Sequence, residues 1–136
     1  MLKLLLFFHL TVMTLVCSGS EYAVIAHQGS PHFTPQQIQA IFLKKLTLMH
    51  HHEIVALNLN PRNPLRTKFE QHLLKMNFSR LRAYWSKQHY LGHRPPISLK
   101  SQESVKAFVQ HVDGAIGYVD FNKVDESVSI IYRWSD

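Results

Sequence analysis

Strand-like and helix-like segments alternate along this chain, and that alternation limits the fold more than any other feature. "EYAVIAH" (21–27) is a β-rich apolar run that Gly29 and Pro31 terminate. Thr34 then opens a helix. Pro35 suits the first helical position, Gln37 completes a capping box, and Ile38, Ile41, Phe42 and Leu46 share one face. "EIVALNL" (53–59) is almost continuously apolar, as expected of a strand covered on both sides. The helix expected over 64–76 buries Leu65, Phe69 and Leu73, with Leu74 widening the stripe. Ser79 caps a further helix through "RLRAYWSKQH", and "ISL" (97–99) forms a short strand. Ser101 starts another helix, with Val105, Phe108, Val109 and Val112 inward. Asp113-Gly114 turns the chain into "AIGYV", and "SVSIIYRW" is the last strand. The pattern predicts an α/β fold with a mostly parallel sheet flanked by helices.

The first twenty residues read differently. Lys3 supplies a positive start, Leu4 to Val16 is a thirteen-residue apolar core, and Ser18 and Ser20 are small. This is the layout of a secretory signal peptide over 1–20, cleaved after Ser20. A transmembrane helix wants roughly 18 or more apolar residues, and His9 interrupts this run. A lipid-anchored Cys17 wants a small preceding residue, and Val16 stands there. The expectation is one α/β domain over 21–136, periplasmic or secreted, that does not span the membrane once the leader is gone. Cys17 is the only cysteine, so the mature chain has no disulfide and its core alone must hold it. Without Lys3, 14 basic and 9 acidic residues leave a formal charge of +5. A surplus of that size suits anions or acidic surfaces, or is simply a soluble basic exterior. Export, and the lack of zinc-finger spacing or an RNA-binding aromatic motif, argue against nucleic acid.

The stretch "NPRNPLRT" (60–67) lies where the second long strand hands over to a helix. Ligands gather beyond the carboxyl ends of strands in such sheets, and a helix starting there points free N–H groups outward. Asn63 is a suitable N-cap and Pro64 a suitable first residue. Arg62 and Arg66 add charge and Thr67 a hydroxyl. Arg62, Asn63, Arg66 and Thr67 are thus the candidate anion-binding residues. The same letters also describe an ordinary helix start with solvated arginines.

The blocks "TPQQIQAIFLKKL", "VALNLNPRNPLRTKFEQHLL", "RAYWSKQHYLGHRPP" and "DGAIGYVD", in this order and spacing, resemble short, exported relatives of phosphate ABC transporter substrate-binding proteins. These belong to the type II periplasmic-binding-protein superfamily, and the resemblance runs from about Tyr22 to Ile131. It implies a single lobe of that fold and an oxyanion ligand such as phosphate, bound for transport or sensing. Full-length relatives clasp phosphate between two lobes, whereas 116 residues supply about one. They carry a Ser-Gly-Thr run where this chain has Asn63-Pro64-Leu65, so both hydroxyls are missing and Pro64 has no N–H to donate. The alternative is a lobe without a small ligand, acting as a protein-interaction domain for a transporter, porin or sensor kinase.

Other chemistry is thin. His50, His51 and His52 invite a metal reading, but adjacent strand residues point to alternate faces and converge poorly on one ion. His27 and His32 flank the loop after the first strand, at what could be the same sheet edge as the 60–67 corner. Neither G-x-S-x-G, a phosphate-cradling glycine loop nor H-E-x-x-H occurs, so the expectation is a non-enzyme without a cofactor.

Overall fold

The computed structural model describes residues 19–136. The signal peptide expected over 1–20 therefore lies, but for its last two positions, outside the described residues. The first strand, β1 (Glu21–His27), leads to helix α1 (Pro35–Phe42) and a hairpin of β2 (Leu48–Met49) and β3 (His52–Glu53). Strand β4 (Val55–Leu59) runs into α2 (Pro64–Phe69), which continues as a π-helical turn over Glu70–Leu74. Helix α3 (Phe78–Tyr90), strand β5 (Ile97–Leu99), helix α4 (Gln102–His111), β6 (Ala115–Asp120) and β7 (Val128–Ser135) complete the chain.

The main sheet has the order β5-β4-β6-β1-β7. Pairing is parallel for β4 with β5 and β6, and antiparallel for β1 with β6 and β7. Four of the five strands thus point the same way and only β1 opposes them. Because β1 sits between two partners and carries Tyr22 to Ala26 fully buried, it is the spine of the sheet.

Two layers of helices follow from the alternation of side chains along β6. Gly117 faces α4 so closely that a Cβ there would lie 2.4 Å from Val105 Cγ1. Tyr118 points the other way, stacked on Phe69 of α2 with ring centroids 4.0 Å apart, and Phe42 of α1 closes the trio. The buried apolar residues form one cluster.

Local rules account for most boundaries. Thr34 forms the expected capping box with Gln37. Helix α1 nevertheless stops at Phe42, before Leu46, because Lys44 turns left-handed (φ 60°) and the amides of Lys45 and Leu46 fold back on the Ala40 carbonyl. The cap of α3 is Asn77 and not Ser79: the Asn77 side-chain Oδ1 accepts from Arg80 N at 2.9 Å. Only Leu81 of α3 is buried, so this helix lies on the lobe without entering its core.

The turn into β6 is the tightest point of the frame. Gly114 has φ +80°, and a Cβ there would meet the Glu53 carbonyl oxygen at 2.1 Å. Gly114→Ala should therefore lower stability by about 3 kcal/mol, through backbone clash and a disfavoured φ, read as a drop in the urea midpoint at unchanged slope.

Candidate functional site

The carboxyl end of β4 is held by a buried polar tie. Beyond Ala56 the β4–β6 ladder stops, and the hydroxyl of Tyr118 fills the gap. It accepts from Leu59 N at 3.1 Å and donates to Asn58 Oδ1. Asn58 is the only buried polar residue among those described, and burial pushes the Tyr118 phenol well above its usual range. The tie is neutral and its hydroxyl is satisfied in both directions, as a buried polar group requires.

From this anchor the chain turns into α2. Asn63 caps the helix, its Oδ1 accepting from Leu65 N at 3.0 Å. The Asn63 amide donates to Asn60 O (2.9 Å), Pro64 has no N–H, and the Arg66 amide donates to Asn63 O (3.0 Å). The first turn of α2 is thus already satisfied from within.

The four candidate residues separate. Arg66 turns inward along α2: its Nε donates to Glu70 Oε1 at 2.6 Å and its Nη1 to Leu59 O at 2.9 Å. It braces the end of β4. With Thr67 and Glu70 it lines a hollow of about 150 Å³ on the α3 side of the helix. Arg62 is exposed, and it lines none of the hollows found around α2. Asn63 alone borders a hollow of about 250 Å³ that opens between the starts of α2 and α4, where it is joined by Tyr22, Lys68, Gln102 and Asp120.

Sequence reasoning missed Lys68, the permanent cation of that hollow. Its Nζ donates to Tyr22 Oη at 2.6 Å and to Asp136 Oδ2 at 2.7 Å, and Tyr22 donates to the same carboxylate oxygen. The hydrogen bond that Lys68 donates to Asp136, then the one it donates to Tyr22, hold the ammonium well above its usual range, and the bond from Lys68 holds Asp136 low. Across the hollow, Gln102 clasps Asp120: its Nε2 donates to Oδ2 (2.8 Å) and its Oε1 accepts from Asp120 N (2.7 Å). These partners come from β1, α2, α4, β6 and the chain end, and no local pattern links them. One signal was present: Glu70 lies four residues after Arg66, the spacing of a helical ion pair.

The histidines lie elsewhere. Residues Ala26 and Ile116 pair, as do Val55 and Ala115, so the end of β1 meets the beginnings of β4 and β6. His27 is therefore at the opposite end of the sheet from the 60–67 corner, contrary to the shared edge considered above. The antiparallel direction of β1 is the reason. His50 and His51 form the two-residue turn of the β2–β3 hairpin, both with positive φ (50° and 67°). His50 and His52 border a cavity of about 280 Å³ with His27, whose Nε2 lies 3.3 Å from Asp113 Oδ1. No group of three or more His, Cys, Asp or Glu side chains among the described residues is placed to hold a metal ion.

Three solved structures share this fold. An ABC-type phosphate transport receptor from Vibrio cholerae superposes with a TM-score of 0.66 at 17% identity, over 82% of this chain and 46% of its own. A putative phosphate ABC transporter substrate-binding protein with bound phosphate from Clostridium perfringens gives 0.66 at 24% identity, over 82% and 45%. PstS from Borrelia burgdorferi gives 0.61 at 12% identity, over 83% and 47%. The chain spans about half the length of each. At these identities the likeness is one of fold, and it bears out the α/β lobe with its mostly parallel sheet. No protein-family model and no curated protein matches the sequence.

The carboxylates at this end make an acid test. Asp136, held low in the folded protein, contributes stability that is present above the ordinary carboxylate range and is lost as pH falls through its folded value. The urea midpoint should hold steady near neutrality and drop below about pH 4. Asp136→Asn should show a smaller drop than the parent, and an equal one would mean that the Lys68–Asp136 pair does not persist in solution.

Proposed function

We propose that this chain is an exported, non-enzymatic binding lobe of the substrate-binding-protein type, folded as one domain over 21–136. Its ligand is phosphate or a similar oxyanion, met for transport or sensing at the hollow between α2 and α4. The observation that carries this reading is the Lys68 ammonium in that hollow, at the carboxyl end of β4, in a fold shared with a phosphate transport receptor and a putative phosphate-transporter binding protein. Asn63 borders the same hollow. Arg62 and Thr67 lie outside that hollow on the exposed surface, where the Arg62 charge adds to the attraction for an anion, and Arg66 positions the corner through Glu70 and Leu59.

An anion entering here displaces the Asp136 carboxylate from Lys68 and finds no free amide in the first turn of α2. One wall of a cleft also leaves the contact open to water, which screens it. The affinity expected is weak, roughly millimolar.

That same self-satisfaction favours a second reading. The lobe serves as a ligand-free interaction domain whose partner is a transporter, porin or sensor kinase in the periplasm.

Titration with inorganic phosphate, followed by amide chemical shifts, separates the two. The first reading predicts shifts at Asn63 to Lys68, Gln102 and Asp120 that vanish in Lys68→Met and shrink in Arg62→Ala. Shifts absent at high phosphate, or unchanged in Lys68→Met, would defeat it and leave the interaction reading.

A further inference from the structure

The positive charge of this protein is not spread evenly. Of the 14 Lys and Arg residues in 19–136, five form ion pairs: Arg66, Lys68, Lys106, Lys123 and Arg133. Six of the other nine fall between Lys75 and Lys100, where Arg80, Arg82, Lys87 and Arg94 also lie. No Asp or Glu occurs from 71 to 102. Lys45 adds a seventh cation beside this stretch, its Nζ 5.9 Å from the centre of the Tyr84 ring.

Helix α3 is the centre of the stretch, and it is oriented to display the charge. Its inward side is set by Leu81, its only buried residue, and by Tyr84, whose hydroxyl donates to the Leu43 carbonyl. At about 100° per residue, the opposite side carries Ser79, Ala83 and Ser86, flanked by Arg82 and His89 on one side and by Arg80 and Lys87 on the other. Large apolar groups stand at its two ends: Phe78 is 71% exposed, Tyr90 90% and Leu91 55%.

We propose that this face docks the protein on an anionic phospholipid surface, with α3 lying flat against the headgroups. The cations extend along a helix of about 20 Å and into both flanking loops, and are not gathered into a fork for one carboxylate. A fluid sheet of anionic headgroups supplies charge over that whole extent, and it accepts isolated aromatic and aliphatic side chains at its interface. A folded protein partner calls for a contiguous apolar centre. The centre of this face is Ser79, Ala83 and Ser86, which offers none. The contact is peripheral, since no helix among the described residues is long and apolar enough to cross a membrane. It is also independent of the hollow between α2 and α4.

Vesicle flotation tests this with the intact mature chain. The protein should float at low salt with vesicles of phosphatidylcholine and phosphatidylglycerol, stay behind with phosphatidylcholine alone, and be released as salt rises. Arg82→Gln with Lys87→Gln should weaken partitioning by about tenfold or more. Lys106→Gln with Lys123→Gln removes the same charge from the α4 side of the sheet, and should change it by less than about twofold. Thermal melts confirm that both variants fold. Equal loss in the two pairs, or indifference to Arg82 and Lys87, overturns the proposal. So does failure to float with the anionic vesicles, which would leave an acidic protein surface as the charge-matched partner.

Discussion

The hydroxyl of Tyr118 holds the carboxyl end of β4 in place. Where β4 and β6 part, it satisfies the Leu59 amide and Asn58 at once, while its ring stacks on Phe69. One side chain thus fixes the end of β4, sets the height of α2 above the sheet and decides where residues 60–67 turn. Deleting the hydroxyl would remove both of its bonds and leave only the 3.2 Å bond from Leu59 N to Asn58 Oδ1, a cost of about 1–3 kcal/mol. The corner inherits its position from this tie, and Arg66, reaching back to the Leu59 carbonyl, reinforces it from the other side.

That corner balances its own charges. Arg66 is answered by Glu70 and Lys68 by Asp136, and the first amides of α2 are answered by Asn60 and Asn63. A binding lobe that closes on a ligand with a second jaw can leave such groups open, because the ligand satisfies them. Here internal carboxylates do so. The cations without such partners lie mostly around α3, away from the hollow. The same basic surplus is thus divided in two: cations already paired with carboxylates at one end of the sheet, and a broad positive face along one helix.

Much of this frame was legible in the sequence because it is local. The capping box at Thr34, the Asn63 cap with Pro64 behind it, the Ser101 cap and the Asp113-Gly114 turn all depend on residues within a few positions of one another. The alternation of strands and helices gave the layering. The site was less legible, because its residues meet only through the sheet. Lys68, Tyr22 and Asp136 are separated by 46 and 68 positions from Lys68 outward, and Tyr118 and Asn58 by 60. Arg66 and Lys68 are two residues apart on a helix and so face opposite ways, and composition alone could not choose between them. The placement of His27 failed for a topological reason: a single reversed strand, β1, carries it to the far end.

The central claim is that Asp136 occupies Lys68 in the place an oxyanion would take. Calorimetric titration of inorganic phosphate into the parent chain and into Asp136→Asn tests it most directly. The account predicts tighter binding to the variant, by roughly tenfold if the freed ammonium gains about 1.4 kcal/mol of contact with phosphate. Equal or weaker binding to Asp136→Asn would contradict it.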